Sequence, residues 1–419
     1  MRIYIYIYSS NVCSSRTIIR LHILVPNTKQ YEKHRLNTTP NSVQFLLSSQ
    51  MGKCLISSTV PPLSFCTKPR SISPLNHPKC YCPVQSELRK KFLPLRSFES
   101  TRTFCTRAVL SEVPNESKYS KIGASSTGSI PSKHLLHVVE TAAKTGSEVV
   151  MEAVNKPRNI TYKGLTDLVT DTDKMSEAAI LEVVRKNFSD HLILGEEGGL
   201  IGDSSSDFLW CIDPLDGTTN FAHGYPSFAV SVGVLYKGKP AAASVVEFVG
   251  GPMCWNTRTF SAVAGGGAYC NGQKIHVSKT DKVERSLLVT GFGYEHDDAW
   301  ATNINLFKEF TDVSRGVRRL GAAAVDMCHV ALGIVESYWE YRLKPWDMAA
   351  GVLIVEEAGG TVSCMDGGKF SVFDRSVLVS NGVLHEKLLE RIGPATEDLK
   401  TKGIDFSLWF KPDNYYTEL

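Results

Sequence analysis

Three acidic segments each fall where an apolar run ends, and carboxylates at such ends can converge in space though far apart in sequence. The strongest is Trp210-Cys211-Ile212-Asp213-Pro214-Leu215-Asp216-Gly217-Thr218-Thr219-Asn220-Phe221. Asp213 closes a strand predicted over Phe208 to Ile212, Pro214 fixes the next turn, and Asp216 stands where a helix can begin. Two aspartates three residues apart across a turn, with a backbone carbonyl between them, are hard oxygen donors of the kind magnesium takes. A helix start presents free N–H groups and the positive end of the dipole, a seat for phosphate. The bland alternative is a capped helix in which both aspartates only satisfy backbone donors; the whole string favours chemistry.

The second segment is Gly195-Glu196-Glu197-Gly198-Gly199. Adjacent glutamates in a strand point opposite ways, so one of them faces a given site. Alone, the pair reads as solvated loop acids. The third is Lys344-Pro345-Trp346-Asp347-Met348-Ala349-Ala350-Gly351, with Asp347 at the N-terminus of a helix. An N-cap aspartate is an ordinary device, but Trp346 and the small residues after it predict tight packing around Asp347. Two magnesium ions bridged by carboxylates suit phosphate-ester hydrolysis: one lowers the pKa of a bound water, the other stabilises the leaving oxygen. Positioning and charge neutralisation then do most of the work. Thr218 is placed to orient the water, with Asp173 or Glu196 accepting its proton; Asp173 also suits a cap for the helix that follows it.

These residues need elements to hold them. Helices are predicted from Lys133 to about Val154, with Ser132 as N-cap, and from Lys174 to Phe188, with Ala178, Ile180, Leu181 and Val184 toward the core. Leu192 to Leu194 is a short strand ending at Gly195. Beyond Asn220 strands dominate: Phe228 to Tyr236 and Ala241 to Phe248 flank a Lys237-Gly238-Lys239-Pro240 turn, and Tyr269-Cys270 and Lys274 to Val277 flank Asn271-Gly272, a strong hairpin signal. A strand at Leu287 to Thr290 and helices at Trp300–Phe310, Ala322–Leu332 and Met348–Ala358 follow, the last closed by Gly359-Gly360. The mixture points to an α+β fold or layered sandwich. Gly265-Gly266-Gly267 lacks the lysine of a phosphate-binding loop and reads as a turn between strands.

Charge is unevenly distributed. Residues 1–108 hold sixteen Lys/Arg against Glu32, Glu87 and Glu99, which leaves 30 basic and 40 acidic residues after them, a formal charge near −10. An acidic body argues against a nucleic-acid surface. The Ser/Thr/Arg/Pro-rich, acid-poor leader has the composition of an organellar transit peptide, and without an Arg-rich amphipathic helix the plastid stroma is favoured over the mitochondrion. Its first eight residues alternate like a strand with no partner in sight, and Met51 is a plausible true start. The domain reading is therefore 1–108 transit peptide with an extension ahead of Met51, 109–132 linker, 133–395 catalytic domain and 396–419 tail, with Trp409, Phe410, Tyr415 and Tyr416 expected to pack back on the body. Cys211, Cys254, Cys270, Cys328 and Cys364, the cysteines outside the leader, are scattered and odd in number, small hydrophobes rather than a disulfide framework. No apolar run approaches the roughly 20 residues of a membrane span.

Taken together, the Glu-Glu after Gly195, the Asp-Pro-Leu-Asp-Gly-Thr-Thr-Asn block at 213–220 and the Trp-Asp at 346–347 closely resemble the inositol monophosphatase family, lithium-sensitive and magnesium-dependent, over about His134 to Arg391. The resemblance implies a layered α/β/α/β/α sandwich, usually dimeric. It implies that Glu196, Asp213 and the Leu215 carbonyl hold one Mg2+, that Asp213, Asp216 and Asp347 hold a second, and that a looser third leans on Glu196. Thr218 paired with Asp173 would help Glu196 activate the water, and the Gly217 and Thr218 amides would bind phosphate. Gly321, Ala322, Ala323, Asp216 and Glu340 would contact the hydroxyls of a phosphorylated polyol. Lys163 falls near a family lysine. The substrate implied is myo-inositol monophosphate; histidinol phosphate and galactose 1-phosphate are the alternatives on the same fold, and a non-catalytic metal-binding relative is the alternative of another class.

Overall fold

The computed structural model describes residues 4–6, 20–22, 118–157, 159–164 and 168–418. Met51, the rest of the leader, the start of the linker and Asp167 lie outside the described residues. The chain divides into two units, 1–106 and 107–419. In the first, β1 (Tyr4–Tyr6) pairs antiparallel with β2 (Arg20–His22), so the alternating Ile/Tyr run does have a partner.

The second unit begins with α1 (Ser132–Ala153), the antiparallel pair β3 (Ile160–Tyr162) and β4 (Leu168–Thr170), and α2 (Asp171–Asn187). Then come β5 (Leu192–Gly195), β6 (Gly199–Ile201), β7 (Phe208–Asp216), α3 (Thr218–His223), β8 (Phe228–Tyr236), β9 (Lys239–Val249), β10 (Asn256–Val263), β11 (Gly267–Cys270) and β12 (Gln273–Lys274). The strands form one sheet in the order β12-β11-β10-β9-β8-β7-β5-β6. A second sheet, β14-β13-β15-β17-β16, is built from β13 (Leu287–Thr290), β14 (Gly316–Arg318), β15 (Ser337–Tyr341), β16 (Thr361–Ser363) and β17 (Ser376–Ser380). The remaining helices are α4 (Asp298–Val313), α5 (Ala323–Ala331), α6 (Pro345–Glu357) and α7 (His385–Thr401).

Period-two alternation assigns the layers. From the large sheet, Ile193, Trp210, Ile212, Val230 and Val246 pack with Leu135, Val139, Ile180 and Val184 of α1 and α2. Their neighbours Leu194, Cys211, Ala229 and Val245 face the other way, into a core shared with α5, α6 and the inward residues Val289, Tyr338, Val377 and Val379 of the second sheet. That sheet's outward residues Leu288, Trp339 and Leu378 meet Leu306 and Phe310 of α4 and Leu388 and Ile392 of α7. The result is the five-layer α/β/α/β/α order. Helix α6, apolar on every side, is sandwiched with α5 between both sheets.

Several local expectations are corrected. Helix α1 begins at Ser132 itself, with Pro131 in the cap position and no side-chain cap bond. Helix α2 starts at Asp171 under a Thr170 cap, and it buries Ser176 and Glu177 while Ala178 is exposed. Strand β7 runs through Pro214 to Asp216, and α3 starts only at Thr218. Helix α7 continues to Thr401, past the predicted boundary at 395. The later part of the expected linker is docked: the Ile122 and Gly123 N–H groups donate to the Glu356 carboxylate at 2.7 and 2.9 Å. The tail does return to the body, with Tyr415 buried, while Tyr416 is exposed. Of the five described cysteines, Cys254 is exposed and none is in a disulfide.

Candidate active site

In a regular strand, residues three apart face opposite sides. A bulge in β7 alters this for Asp213 and Asp216: their partners on β8 are Ser231 and Ala229, only two apart. The extra residue on β7 returns both carboxylates to one face, the face covered by α5 and α6. Leu215 turns the other way and is buried against the α1/α2 core. Pro214 has no N–H to give the ladder, which suits a bulge, and its carbonyl accepts from Ser176 Oγ at 2.9 Å.

Glu196 leaves the end of β5, the parallel neighbour of β7, and its N–H donates to the Ile212 carbonyl at 3.1 Å, beside Asp213. Buried Glu177 of α2 accepts from the Glu197 N–H at 2.9 Å and holds this turn. Asp347 arrives on the first turn of α6. It is the third helical residue rather than the cap, and its Oδ2 accepts from the Lys344 N–H at 2.7 Å. A Cβ on Gly233 of β8 would lie 2.9 Å from both Ala349 Cβ and Ala350 N. The close approach of α6 to the sheet at this point sets Asp347 over the strand ends.

Four carboxylates thus share one region, and burial together with their charges raises Glu196, Asp213 and Asp216. Burial lifts Asp213 well above the usual carboxylate range, with Glu196, Asp216 and Asp347 adding to it. Asp216 is pushed up to about 8 by burial and Asp347, even though it accepts from the Ala323 and Ala324 N–H groups at 3.1 and 2.7 Å. Glu196 is pushed up to about 7 by burial, opposed by Lys163 and reinforced by Asp347, Glu197 and Asp173. An all-oxygen donor set carrying surplus negative charge fits a hard divalent cation. Among the described residues no three such side chains close around one point.

Thr218 Oγ1 lies 3.0 Å from Asp173 Oδ1 and 2.9 Å from the Leu215 carbonyl oxygen. Asp173 uses its other oxygen, Oδ2, to accept from the N–H and Oγ1 of Thr170 at 2.9 and 2.5 Å, so capping α2 and meeting Thr218 are compatible. Burial raises Asp173 despite these bonds. Gly217 sits at φ 83°, left-handed backbone that glycine tolerates. Among the described residues neither its N–H nor that of Thr218 has a partner.

The loop Gly321-Ala322-Ala323 is pinned against α3 by Asn220, whose Nδ2 donates to the Ser227 and Leu320 carbonyls at 2.6 and 2.7 Å. Glu340 of β15 is buried, accepts from the Tyr338 hydroxyl, and is pushed up to about 7 by burial, against the opposing charges of Arg319 and Lys344. It lies so close to Gly291 that a Cβ there would fall 1.8 Å from Glu340 Oε2.

Sequence reading missed three residues. Arg319 flanks Glu340 and Asp326, but as half of an Arg318-Arg319 pair it reads as ordinary surface charge. Asp326 is fully buried, and neither carboxyl oxygen has a partner among the described residues. Glu177 is masked by its place in a polar-looking helix. Lys163 is ion-paired to Glu196 at 3.4 Å and to Glu197.

A sequence profile of the inositol monophosphatase family matches residues 132–398. The chain is 78% identical over 371 residues to "Phosphatase IMPL1, chloroplastic" of Arabidopsis thaliana, covering 88% of this chain and 100% of that protein. It is 40% identical over 258 residues to an inositol-1-monophosphatase of Synechocystis sp., covering 61% of this chain and 88% of the relative. The solved inositol monophosphatase from Anabaena superposes with a TM-score of 0.55 at 37% identity, over 64% of this chain and 96% of that one. The five-layer fold with carboxylates gathered at its strand ends and a profile match spanning most of the chain lead to one conclusion: this protein belongs to the inositol monophosphatase family.

Proposed function

We propose that the protein is a magnesium-dependent phosphomonoesterase that hydrolyses myo-inositol monophosphate to myo-inositol and phosphate, acting as a homodimer in the plastid stroma. Phosphoric monoester hydrolysis follows from family membership; metal, substrate and place are the proposal. The observation that carries it is the cluster of Glu196, Asp213, Asp216 and Asp347, the first three of them raised, beside the N–H groups of Gly217 and Thr218, which have no partner among the described residues.

The four carboxylates and the Leu215 carbonyl would hold Mg2+. When bound, Mg2+ supplies a water of lowered pKa and neutralises charge on the phosphate. The Gly217 and Thr218 amides receive phosphate oxygens. Thr218, held by Asp173, orients the attacking water, and Glu196 takes its proton. Glu340 accepts from substrate hydroxyls against a wall formed by Gly321, Ala322 and Ala323. Arg319 puts a positive charge beside Glu340, which favours a neutral polyol over the ammonium of histidinol phosphate. The name of the Arabidopsis relative and the acid-poor leader support a plastid location; import of a fluorescent fusion to residues 1–108 by isolated chloroplasts tests it.

The activity test is phosphate release by the chain from Ala108 onward, with inositol 1-phosphate, galactose 1-phosphate, histidinol phosphate and fructose 1,6-bisphosphate. Preference for inositol 1-phosphate, lost on chelation and inhibited by lithium, is expected. Preference for another ester moves the substrate but keeps the metal chemistry; no turnover of any ester would favour the non-catalytic alternative.

A further inference from the structure

We propose that the C-terminal strap, residues 402–418, is a positioning element for Asp347 and thereby sets the metal affinity of the site; this rests on the metal-dependent reading above. The strap starts after α7 ends at Thr401, beyond the family profile's limit at 398. It is fastened first at Arg375, whose Nε donates to the Ser407 carbonyl at 2.8 Å and whose guanidinium lies 4.7 Å over the Trp409 ring. It is fastened last at the β8–β9 turn. There the buried Tyr415 hydroxyl accepts from the Gly238 N–H at 3.1 Å, and the Glu418 N–H donates to the Lys237 carbonyl at 2.9 Å.

Between these anchors the strap crosses the five residues that end in Asp347. Trp409 Nε1 donates to the Leu343 carbonyl at 3.0 Å. The Phe410 ring packs edge-on to Trp346, 5.1 Å between centroids, and to Trp409 at 5.2 Å. Trp346, the residue before Asp347, is only 7% exposed. Phe410 holds φ 55°, a left-handed conformation disfavoured for a bulky side chain, and such conformations persist where the surroundings over-determine them. Both contacts fall on the backbone and ring that aim Asp347, whose charge acts on Glu196, Asp213 and Asp216 alike. Groups that orient a ligand without touching the metal tune affinity as strongly as this requires.

The test is the dissociation constant for Mg2+ by calorimetry, alongside melting temperature and substrate KM at saturating Mg2+. Trp409→Phe keeps the ring and removes the donor; Phe410→Ala removes the ring on Trp346. Each is expected to weaken Mg2+ binding about tenfold, with KM at saturating Mg2+ unchanged, and Phe410→Tyr should restore the affinity. Tyr415→Phe loosens the distant anchor and should lower the melting temperature without changing Mg2+ affinity. Wild-type Mg2+ affinity in both Trp409→Phe and Phe410→Ala overturns the proposal. So does an equal loss in Tyr415→Phe, which would make the strap merely structural. Wild-type protein that binds no Mg2+ at all sinks the metal reading and this inference together, a result distinguishable from the first two.

Discussion

Asp213→Asn should raise the melting temperature of the metal-free protein while abolishing its response to magnesium and its turnover. Asparagine preserves the volume and the Oδ1 acceptor that takes the Leu215 N–H at 3.0 Å, so the bulge is undisturbed. What is removed is a carboxyl that is 2% exposed and whose ionisation burial, Glu196, Asp216 and Asp347 all oppose. The sign follows from linkage: a carboxyl whose folded pKa is raised contributes stability at low pH that is lost as pH rises past its unfolded pKa. Asp216 goes from 3.8 to about 8. Over the roughly three pH units between 3.8 and 7, at about 1.4 kcal/mol each, its protonation alone costs on the order of 4 kcal/mol at pH 7. Glu196, moved from 4.5 to about 7, draws on the same repulsions, so the two do not add. Asp213 is raised in the same direction, and asparagine removes its share of this cost outright; a gain on the order of 2 kcal/mol, the ordinary size of a single-residue effect, corresponds to a rise on the order of 4 °C for a domain of this size. Scanning fluorimetry with chelator at pH 7.5 and pH 5.0, then with Mg2+, reads it directly, with phosphate release in parallel. The advantage should shrink at pH 5.0, where the pH lies closer to the unfolded pKa values and keeping these carboxyls protonated costs less. A metal-free variant that melts below wild type at pH 7.5, or one that keeps its magnesium shift and turnover, refutes the reasoning.

Gly291→Ala should raise KM for a polyol phosphate about tenfold or more by driving Glu340 from its place, since the added carbon would meet Oε2 at 1.8 Å; the magnesium-induced melting shift should be unchanged, and steady-state kinetics with fluorimetry separates the two. Lys163→Met removes the cation that opposes the rise of Glu196, so calorimetric Mg2+ binding should move to higher pH, whereas an unchanged profile would deny Lys163 that role. His191 is stacked between Phe188 and Phe208 and accepts from Trp210 Nε1 at 3.0 Å; burial lowers it from 6.5 to about 4. It therefore favours the fold above pH 6.5 and loses about 3 kcal/mol as pH falls toward 4, so in urea titrations His191→Phe should lose less stability between pH 7 and 5 than wild type does.

Much of the site was legible because its signals are local. A proline and glycine around Asp213 and Asp216, glycines after Glu196 and small residues after Asp347 each mark a place where an element ends. The hairpin at Asn271-Gly272 was legible for the same reason: both residues take positive φ, 49° and 74°, as that turn demands. Strand β10 was not, because its outer half, Asn256 to Thr259, is polar and partly exposed and lacks an apolar run. Helix α7 was hidden by Pro394 inside it and by its many charges. Glu340 and the Gly321–Ala323 segment at the start of α5 carry no chemical signal in their own neighbourhood and entered only through family resemblance.

By itself, the sequence determined which groups were available and where chains must turn: carboxylates at the ends of apolar runs in three segments, a helix start carrying free amides, an acidic body behind a basic leader. It could not determine that Asp213 and Asp216 share a face. Spacing of three in a strand says the opposite, and only the pairing of β7 with Ser231 and Ala229 of β8 inserts the bulge that corrects it. Nor could it bring Asp347 over them, since that depends on α6 being held between two sheets and reaching Gly233 at close contact. The raised pKa values of Glu196, Asp213 and Asp216 are likewise a property of the assembly, because burial and mutual repulsion exist only once elements distant in sequence are packed together.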